Sequence, residues 1–400
     1  MVTYPGDWAV YAFDEMFQLY PNNTLSRDKL SEHGTIGDIH YGDVLIKYGS
    51  VLTGKDSIPK IKEEYESLAK TRLQKNDVIV ADTAEDETVG KAVQIGDVPF
   101  PIVGGLHTVI CRPLVATATG YLGYYMNSRE YHNQLLPYIA GIKVSSISKT
   151  SLRRTEFHIP SSVDEQAAIV DTIERFDTHI SNLAALIEKK RAVRDAALED
   201  LVSGRTRLDG HDCAWVRVEL GSLASYRKER AVCPQNQYVS TENMRQMFSG
   251  IIPYAGTEPT AGTAFFTGDT LIANIRPYLK KVWRADFSGA CSADVLVMAS
   301  NEKVSPNLLY YCLANDNFIN YVMNGGVKGI KMPRGDKKYI LQYPILIPAD
   351  IAEQETIADM LTAMDDEIKS LEAERDKMTQ IREGVMDDLL TGRKRLKQSP

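Results

Sequence analysis

The sequence has few of the features that mark secreted, metal-binding or membrane proteins. Its five cysteines are scattered over 400 residues and form no Cys-x-x-Cys pair, which argues against a disulfide framework or a zinc site. No apolar run approaches the length of a membrane span. The first residues have neither the basic start nor the apolar core of a signal peptide. We therefore expect a cytoplasmic protein with no membrane contact.

The motifs of the catalytic functions considered are also missing. No Gly-x-x-x-x-Gly-Lys-Ser/Thr loop is present, which excludes a P-loop ATPase. An adenine methyltransferase would need a cofactor-binding glycine loop and an Asn/Asp-Pro-Pro-aromatic turn, and the nearest stretch, Asp97–Phe100, has Val98 in place of the first proline. None of the seven histidines has metal-ligand spacing, and neither Asp269 nor Asp294 anchors a nuclease cluster. We predict no active site, no metal and no cofactor.

What the sequence does contain is a repeat of about fifty residues. The segments 159–208 and 347–396 align without a gap, at an offset of 188 residues. Each begins with Ile-Pro, passes a Glu-Gln pair and ends with Gly-Arg, one further residue and Arg-Leu. Ser162 precedes Glu165, and Asp350 precedes Glu353, by the three residues of a capping box. Each copy is therefore predicted to be one long helix that ends at a glycine, about 60 Å long at 1.5 Å per residue.

The apolar residues of both helices recur in alternating steps of three and four, which predicts a coiled-coil seam. The predicted packing residues are Ile169, Ile173, Phe176, Ile180, Leu183 and Ile187 in the first helix, and Ile357, Leu361, Met364, Ile368, Leu371 and Met378 in the second. The second helix, 351–390, has four basic and twelve acidic residues, whereas 209–344 has fifteen basic and twelve acidic ones. These parts are expected to have different partners, and the acidic face to point to solvent or protein.

Two globular segments alternate with the helices. The sequence divides into a first domain at 1–157, a first helix at 158–208, a second domain at 209–346, and a second helix with a tail at 347–400. The order of elements in the two domains is similar: an opening strand at a tryptophan, then an apolar strand, then a tyrosine-containing helix, predicted at Leu114–Leu136 in the first domain. We expect a mixed α/β (α+β) fold with an internal pseudo-twofold repeat.

The second domain contains a loop suited to DNA. Asn274, Arg276, Tyr278, Lys280 and Lys281 follow a predicted strand, and Asn and Arg can make bidentate hydrogen bonds to base edges while Lys meets phosphate. A second loop, 328–334, has glycines that allow close approach of the backbone. A solvated surface loop without a ligand is the alternative for both.

These residues together resemble the specificity subunit of type I restriction–modification systems. The helix starts (Pro160, Glu165, Gln166, Ile169; Pro348, Glu353, Gln354, Ile357) and ends (Gly204, Arg205, Arg207, Leu208; Gly392, Arg393, Arg395, Leu396) carry the resemblance, with 238–244, 268–281 and 329–336 as recognition-domain motifs. The resemblance implies two target-recognition domains that each read half of a bipartite, asymmetric DNA site. It also implies antiparallel spacer helices, docked methyltransferase subunits, restriction subunits in the larger complex, and no catalysis by this chain.

The resemblance also implies a set of DNA-contacting residues. In the second domain these are Tyr238, Thr241, Asn243, Asn274, Arg276, Tyr278, Lys280, Lys281, Lys328, Lys331 and Arg334. In the first domain Lys47, Tyr48, Lys143, Ser145, Ser148 and Lys149 are placed by analogy. Three other hypotheses compete with this one. The motif Asn274–Lys281 argues against a coiled-coil scaffold with two ligand-binding domains, and the missing cofactor loop argues against a fused methyltransferase. A specificity subunit that has lost its partners and binds DNA only weakly stays open.

Overall fold

The computed structural model describes residues 3–141, 144–256, 258, 260–325 and 333–396. The chain divides into two compact units, Met1–Leu183 with Glu374–Pro400, and Ala184–Ala373. Two 40-residue helices, Val163–Val202 and Ile351–Leu390, each contribute one half to each unit. Both end at a glycine with φ of 69°, Gly204 and Gly392, a backbone conformation that glycine adopts without strain. The two predicted long helices are confirmed.

The first unit contains a globular domain of short strands and helices. Its strands are β1 (Trp8–Ala12), β2 (Phe17–Tyr20), β3 (Leu30–Ser31), β4 (Gly37–Ile39), β5 (Val51–Leu52), β6 (Lys60–Ile61), β7 (Val78–Ala81), β8 (Thr83–Ala84), β9 (Ala92–Ile95), β10 (Ile102–Gly104), β11 (Thr108–Pro113), β12 (Ser145–Ser146) and β13 (Glu156–Pro160). Its helices are α1 (Phe13–Met16), α2 (Tyr41–Ile46), α3 (Tyr121–Met126), α4 (Arg129–Leu135), α5 (Lys149–Leu152) and the first part of α6 (Val163–Val202). The sheets have the orders β2-β11-β7-β9-β5, β10-β4-β6-β3, β1-β13 and β12-β8.

The second unit repeats this plan. Its strands are β14 (Trp215–Glu219), β15 (Ala224–Tyr226), β16 (Arg230–Cys233), β17 (Tyr238–Val239), β18 (Thr260–Phe265), β19 (Thr270–Ala273), β20 (Val282–Arg284), β21 (Gly289–Cys291), β22 (Val295–Ser300) and β23 (Pro344–Pro348). Its helices are α7 (Pro306–Leu313), α8 (Asp316–Gly325), α9 (Lys337–Leu341) and the first part of α10 (Ile351–Leu390). The sheets have the orders β15-β22-β19-β20, β16-β18-β21-β17 and β14-β23.

Each domain is joined to its long helix by one antiparallel strand pair. Trp8 pairs with Pro160 in β1 and β13, and Trp215 pairs with Pro348 in β14 and β23. The strand that leads into each long helix is therefore part of the domain that precedes it. A buried apolar strand forms the centre of each domain: all four residues of β7, and all four of β19, are buried. Such continuous burial explains why these segments read as unbroken apolar runs.

The ends of the long helices pack into the domain cores. Ile169 and Ile173 of α6, with Leu389 of α10, belong to the core of the first domain. In the second unit Ile357 and Leu361 of α10 belong to the domain core together with Leu198 of α6. Within each unit the start of one long helix therefore lies beside the end of the other, which is the antiparallel arrangement expected from the sequence.

One predicted helix was wrong in extent. Leu114–Leu136 was expected to be a single helix, but α3 begins at Tyr121 and the helix is interrupted at Asn127 and Ser128. The Ser128 hydroxyl accepts a hydrogen bond from the Tyr131 amide (3.2 Å) and so caps a new helix, α4. The Asn127 amide group bonds backbone groups of Ala92 and Gly123 instead of continuing the helix. Local side-chain bonding competes with helix propagation here.

Candidate nucleic-acid interface

In the second domain the loop between β19 and β20 is held in a strained conformation. Arg276 and Lys280 have φ values of 52° and 54°, although neither is glycine. Between them Pro277–Leu279 forms a single 3-10 turn, which places Tyr278 at the surface with 51% of its area exposed. The Arg276 side chain is exposed as well. The loop thus presents a guanidinium and an aromatic ring from a backbone that has little freedom to move.

A second strained loop is bonded to the first. Met247 and Phe248 have φ values of 54° and 59°, and their amides donate to the carbonyls of Leu279 (3.1 Å) and Lys280 (2.8 Å). Left-handed backbone costs a non-glycine residue about 1–3 kcal/mol and persists where surrounding bonds enforce it, often at functional sites. Met247, 60% exposed, adds an apolar side chain to this face.

A third segment completes the edge. The Arg276 amide donates to the Pro333 carbonyl (3.0 Å), and Ile275 and Arg334 form an antiparallel bridge. Arg334 is paired with Asp294 at 3.0 Å, and its side chain is still 58% exposed. Two predicted phosphate contacts are already engaged within the domain: Lys280 pairs with Asp316 and Lys281 donates to the Thr241 carbonyl (2.6 Å).

Three other predicted contacts are part of the protein interior, and a fourth, Asn274, is half-buried. Asn243 is 4% exposed, and its side chain bonds the Ser240 amide (2.7 Å) and the Ile252 carbonyl (2.9 Å), which fixes its own turn. Tyr238 and Tyr48 are core residues, 8% and 3% exposed. Asn274 has a buried, unbonded side-chain oxygen. In this conformation Asn243, Tyr238 and Tyr48 do not reach the surface, whereas Asn274 is partly exposed.

The first domain has a corresponding edge. The Asp82 amide donates to the His107 carbonyl (3.2 Å), as the Asn274 amide donates to that of Asp294 (2.8 Å). The Asp82 carbonyl accepts a hydrogen bond from the Ile147 amide (2.9 Å). In the second domain the Asn274 carbonyl accepts one from the Gly335 amide (3.4 Å). Like Arg276, the first-domain edge residue His107 has a left-handed φ, 55°.

The side chains on this first edge differ in charge from those of the second. The Thr83 hydroxyl donates to the Asp82 carboxylate (2.9 Å), and His107 lies 3.4 Å from the same oxygen. The Tyr41 ring contacts the His107 ring edge-on, with centroids 5.3 Å apart. The exposed residues that follow, Glu85–Glu87, are acidic, where the second domain has Arg276 and lysines. Asp82, Thr83 and His107 were not predicted from the sequence. A sequence signal for Asp82 was present, because Asp82 directly follows the apolar strand β7, as Asn274 directly follows β19.

The remaining predicted residues of the first domain lie at or near this edge. Ser145 is half-buried in β12, which pairs with β8. Ser148 caps α5 by accepting from the Ser151 amide (3.0 Å), and Lys149 is exposed at the start of that helix. Lys47 is exposed after α2. Lys143, Lys328 and Lys331 lie outside the described residues.

The repeated Glu-Gln pair fastens each long helix to its domain. Gln166 is buried, donating to the Pro160 carbonyl (2.9 Å) and accepting from the Ala118 amide (2.9 Å). Gln354 makes the same bonds to Pro348 (2.8 Å) and Ser305 (2.8 Å). The repeat therefore preserves a connection to the domain as well as a helix.

The glutamates of the same pairs do not close the expected capping box. Only half of it forms in the first copy, where the Glu165 amide donates to Ser162 (3.3 Å). The Glu165 carboxylate instead accepts two hydrogen bonds from Arg395 (2.9 and 2.6 Å), and Glu353 accepts from Arg207 (3.1 Å). A planar guanidinium offers a carboxylate two parallel donors, which the helix start cannot. The basic residues after each glycine thus bind the glutamate of the other repeat.

The helix pair has a buried seam and paired charges. Of the predicted packing residues, the buried ones are Ile169, Ile173, Leu183, Ile187, Ile357, Leu361 and Ile368, and the half-buried ones are Phe176, Ile180, Met364, Leu371 and Met378. In the second unit Lys190, Arg191 and Arg194 of α6 pair with Glu367, Glu372 and Asp365 of α10. Part of the acidic face of α10 thus meets α6, and the rest remains exposed.

Neither a metal-ligand cluster nor a membrane-spanning helix is found among the described residues. No group of three or more His, Cys, Asp or Glu side chains there could hold a metal ion. Of the helices in the described ranges, none combines the length and apolar character needed to cross a membrane.

Known proteins with the same organisation support a family assignment. The family described as type I restriction modification DNA specificity domain matches residues 5–189 and 214–380. A chain of Methanocaldococcus jannaschii described as a type I restriction enzyme MjaX specificity subunit is 22% identical over 98% of this chain and 95% of its own. The type I restriction enzyme EcoDI specificity subunit of Escherichia coli is 23% identical over 52% of this chain and 54% of its own.

Solved structures show the same fold. The type I restriction–modification S subunit from M. genitalium has a TM-score of 0.57 at 16% identity and covers 98% of this chain and 97% of its own. A chain from work on complex assembly and conformational transition of the type I system has a TM-score of 0.60 at 14% identity, covering 97% and 98%. The fold and the two matched segments define a two-domain DNA specificity protein. This chain belongs to the family of type I restriction–modification DNA specificity domains.

Proposed function

We propose that this chain is the DNA-reading subunit of a type I restriction–modification enzyme, with each domain reading one half of a bipartite, asymmetric site. The distribution of backbone strain is the observation that supports the choice of these two edges as the DNA-contact surfaces. Of the six non-glycine residues with positive φ in the described ranges, five lie on the two corresponding edges: Met247, Phe248, Arg276, Lys280 and His107. Ordered, strained loops are suited to hold side chains at fixed positions against base edges.

The second domain reads its half-site with exposed basic side chains. Arg276 is suited to bidentate contact with guanine, the commonest base-specific contact in the major groove. Arg334, Arg245 and Tyr278, all exposed, surround it and suit phosphate and sugar contacts. Lys280, Lys281 and Thr241 hold the loops by bonds within the domain and can reach phosphates at its margin. Lys328 and Lys331 belong to the proposed set on sequence alone.

The first domain reads a chemically different half-site. Asp82 offers a carboxylate acceptor, which matches the exocyclic amino group of cytosine. His107, Thr83 and Ser145 lie beside it, and Lys47, Ser148, Lys149 and Lys143 supply the phosphate contacts. The acidic residues 85–87 would repel phosphates, so this loop is directed away from the DNA backbone. Two edges of unlike charge give an asymmetric site.

The helix pair holds the domains apart and docks methyltransferase subunits, and restriction subunits join the larger complex. Exposed acidic side chains on α10 favour protein over DNA as the partner of this surface. Base extrusion and methyl transfer then belong to the methyltransferase subunits, and the chain itself is not catalytic. We expect it to act in the cytoplasm, on chromosomal DNA.

The test is adenine-methylation sequencing of cells that express the chain with its methyltransferase subunits. Arg276→Ala should relax or abolish one half of the methylated motif and leave the other half unchanged, at a cost of about 1–3 kcal/mol in discrimination. Arg217→Ala removes another exposed arginine, from β14, and is the control. An unchanged motif in the Arg276 variant would remove this loop from the readout.

A further inference from the structure

The repeat contains a three-residue cluster in each unit. In the first unit the Tyr124 hydroxyl donates to Asp177 (2.7 Å), and Arg382 donates to the same carboxylate (2.8 and 3.3 Å). The Arg382 guanidinium lies 6.0 Å from the centre of the Tyr124 ring. Each member therefore contacts the other two.

The second unit contains the same cluster. The Tyr311 hydroxyl donates to Asp365 (2.9 Å), Arg194 donates to that carboxylate (2.8 and 3.4 Å), and the guanidinium lies 5.9 Å from the Tyr311 ring. The aspartates and the arginines are each 188 residues apart, which is the offset of the helix repeat. In the first cluster the aspartate lies on α6 and the arginine on α10, whereas in the second cluster the aspartate lies on α10 and the arginine on α6.

Each cluster joins three elements at one point. The tyrosine comes from a short helix of the recognition domain, α3 or α7, while the aspartate and the arginine come from the two long helices. Burial raises the pKa of both tyrosines well above the usual value, so at neutral pH each hydroxyl keeps its proton and donates it. A domain rotated on the helix pair would lose this bond, because a hydroxyl–carboxylate bond weakens steeply with angle.

In the second cluster the charged pair contributes more to the orientation of the domain than to its stability. The Arg194 side chain is 11% exposed and that of Asp365 is 21% exposed, so removing them from water offsets much of their attraction. The apolar contacts of Ile357 and Leu361 with the domain core are independent of this pair. Apolar packing can hold a domain against the helices at a range of angles. The bidentate arginine and the tyrosine hydroxyl, both bonded to the aspartate carboxylate, are satisfied at only one of these angles.

We propose that Tyr124–Asp177–Arg382 and Tyr311–Asp365–Arg194 are positioning residues that fix the angle of each recognition domain on the helix pair. They thereby determine the single number of base pairs that the protein accepts between the half-sites. This inference rests on the proposed function. A change of one base pair in the gap moves one half-site by roughly 3.4 Å and turns it by roughly 35° about the DNA axis, which a fixed domain cannot follow.

The experiment uses the full chain in its complex with methyltransferase subunits. Plasmids carry the native half-sites at the native gap and at gaps one base pair shorter and longer, and methylation at each is measured by sequencing. Tyr124→Phe and Tyr311→Phe each remove one hydroxyl, and both together loosen both domains. We expect methylation at the altered gaps to rise at least tenfold relative to the native gap, with unchanged half-site sequences.

The chain offers matched controls on the same helices. Tyr121 of α3 is buried with no hydrogen bond to its hydroxyl among the described residues, so Tyr121→Phe makes the same chemical change outside the cluster. On α7 the Tyr310 ring packs against Tyr311, with centroids 5.0 Å apart, so Tyr310→Phe tests whether loss of a neighbouring hydroxyl alone changes the gap preference. Both controls should keep the native gap preference. Asp177→Asn, which keeps the shape and weakens the bonds to both partners, should reproduce the effect of Tyr124→Phe.

Two results would overturn the inference. One is an unchanged gap preference in both tyrosine variants and in Asp177→Asn. The other is an equal loss of methylation at every gap, accompanied by a lower melting temperature, which would assign the clusters to stability alone. Wild-type protein that methylates no split motif would instead refute the proposed function, so the two failures are distinct.

Discussion

Replacing the buried glutamine of the Glu-Gln pair should destabilise one unit and leave DNA specificity unchanged. Gln166 is 2% exposed and bonds the Ala118 amide and the Pro160 carbonyl, both at 2.9 Å. Gln166→Leu keeps the volume but leaves these two backbone groups without a partner. A buried unsatisfied group costs about 1–3 kcal/mol, so the loss in unfolding free energy should be about 2–6 kcal/mol.

The same change in the second unit should have a larger effect. Gln354 bonds Ser305 and Pro348, and it also donates to the Lys303 carbonyl (3.1 Å). Gln354→Leu thus removes partners from three backbone groups, and the expected loss is at the upper end of the same range or above it. The order of the two losses follows from the number of bonds, since both glutamines are buried.

Calorimetric melting of the purified chain provides the measurement. For a unit of roughly 200 residues, each kcal/mol shifts the melting temperature by about 2–4 °C, so a fall of at least about 4 °C is expected for Gln166→Leu. Gln380→Leu, at an exposed position of α10, is the control and should stay within about 0.5 kcal/mol. A shift for Gln166→Leu no larger than that of the control would refute the assigned role of the two hydrogen bonds.

Three further predictions address the first domain and the helix seam. Burial raises the pKa of Asp38 to about 6, so the ionised carboxylate opposes folding at neutral pH and does so less as the pH falls from 6 towards 4. Asp38→Asn should therefore raise the melting temperature at pH 7.5. At pH 5 the difference in melting temperature between the variant and the wild type should be smaller. Asp82→Asn should change one position of the first half-site in methylation sequencing and leave the second half unchanged, whereas unaltered specificity would exclude Asp82. Ile368→Asp places a charge in the seam, and methylation should fall for every DNA sequence; selective loss of one half-site would contradict this.

The helix pair could be predicted from the sequence because its determinants are local and repeated. In each helix apolar residues recur about every 3.5 residues, and these residues, such as Ile173 in α6 and Ile357 in α10, form the buried stripe. The glycines at the ends determine where the helices stop. The order of elements in the two domains could be predicted as well, because buried strands such as β7 and β19 are continuous apolar runs. Both depend on periodicity along the chain, which needs no tertiary information.

The proposed contact surfaces could be predicted only in part. Arg276 and Tyr278 follow an apolar strand directly and are exposed, as expected. Asp82 and His107 are 25 residues apart and meet through a backbone hydrogen bond and a side-chain contact, which no local pattern reveals. Tyr48 was placed in the DNA surface by analogy with the second domain and Asn243 by resemblance to a recognition-domain motif. Tertiary packing buries the Tyr48 ring, and local bonds occupy the Asn243 amide. Burial and bonding state, rather than residue type, decide which polar side chains remain available.

The central proposal is that one chain reads two unlike half-sites. Adenine-methylation sequencing of host DNA with and without the gene tests it most directly. We predict that one split motif, two short unlike halves around a fixed gap, disappears with the gene and returns when it is restored. Loss of a continuous motif, or of two motifs that vary independently, would contradict the proposal. So would an unchanged methylation pattern in cells whose methyltransferase subunits are present and active.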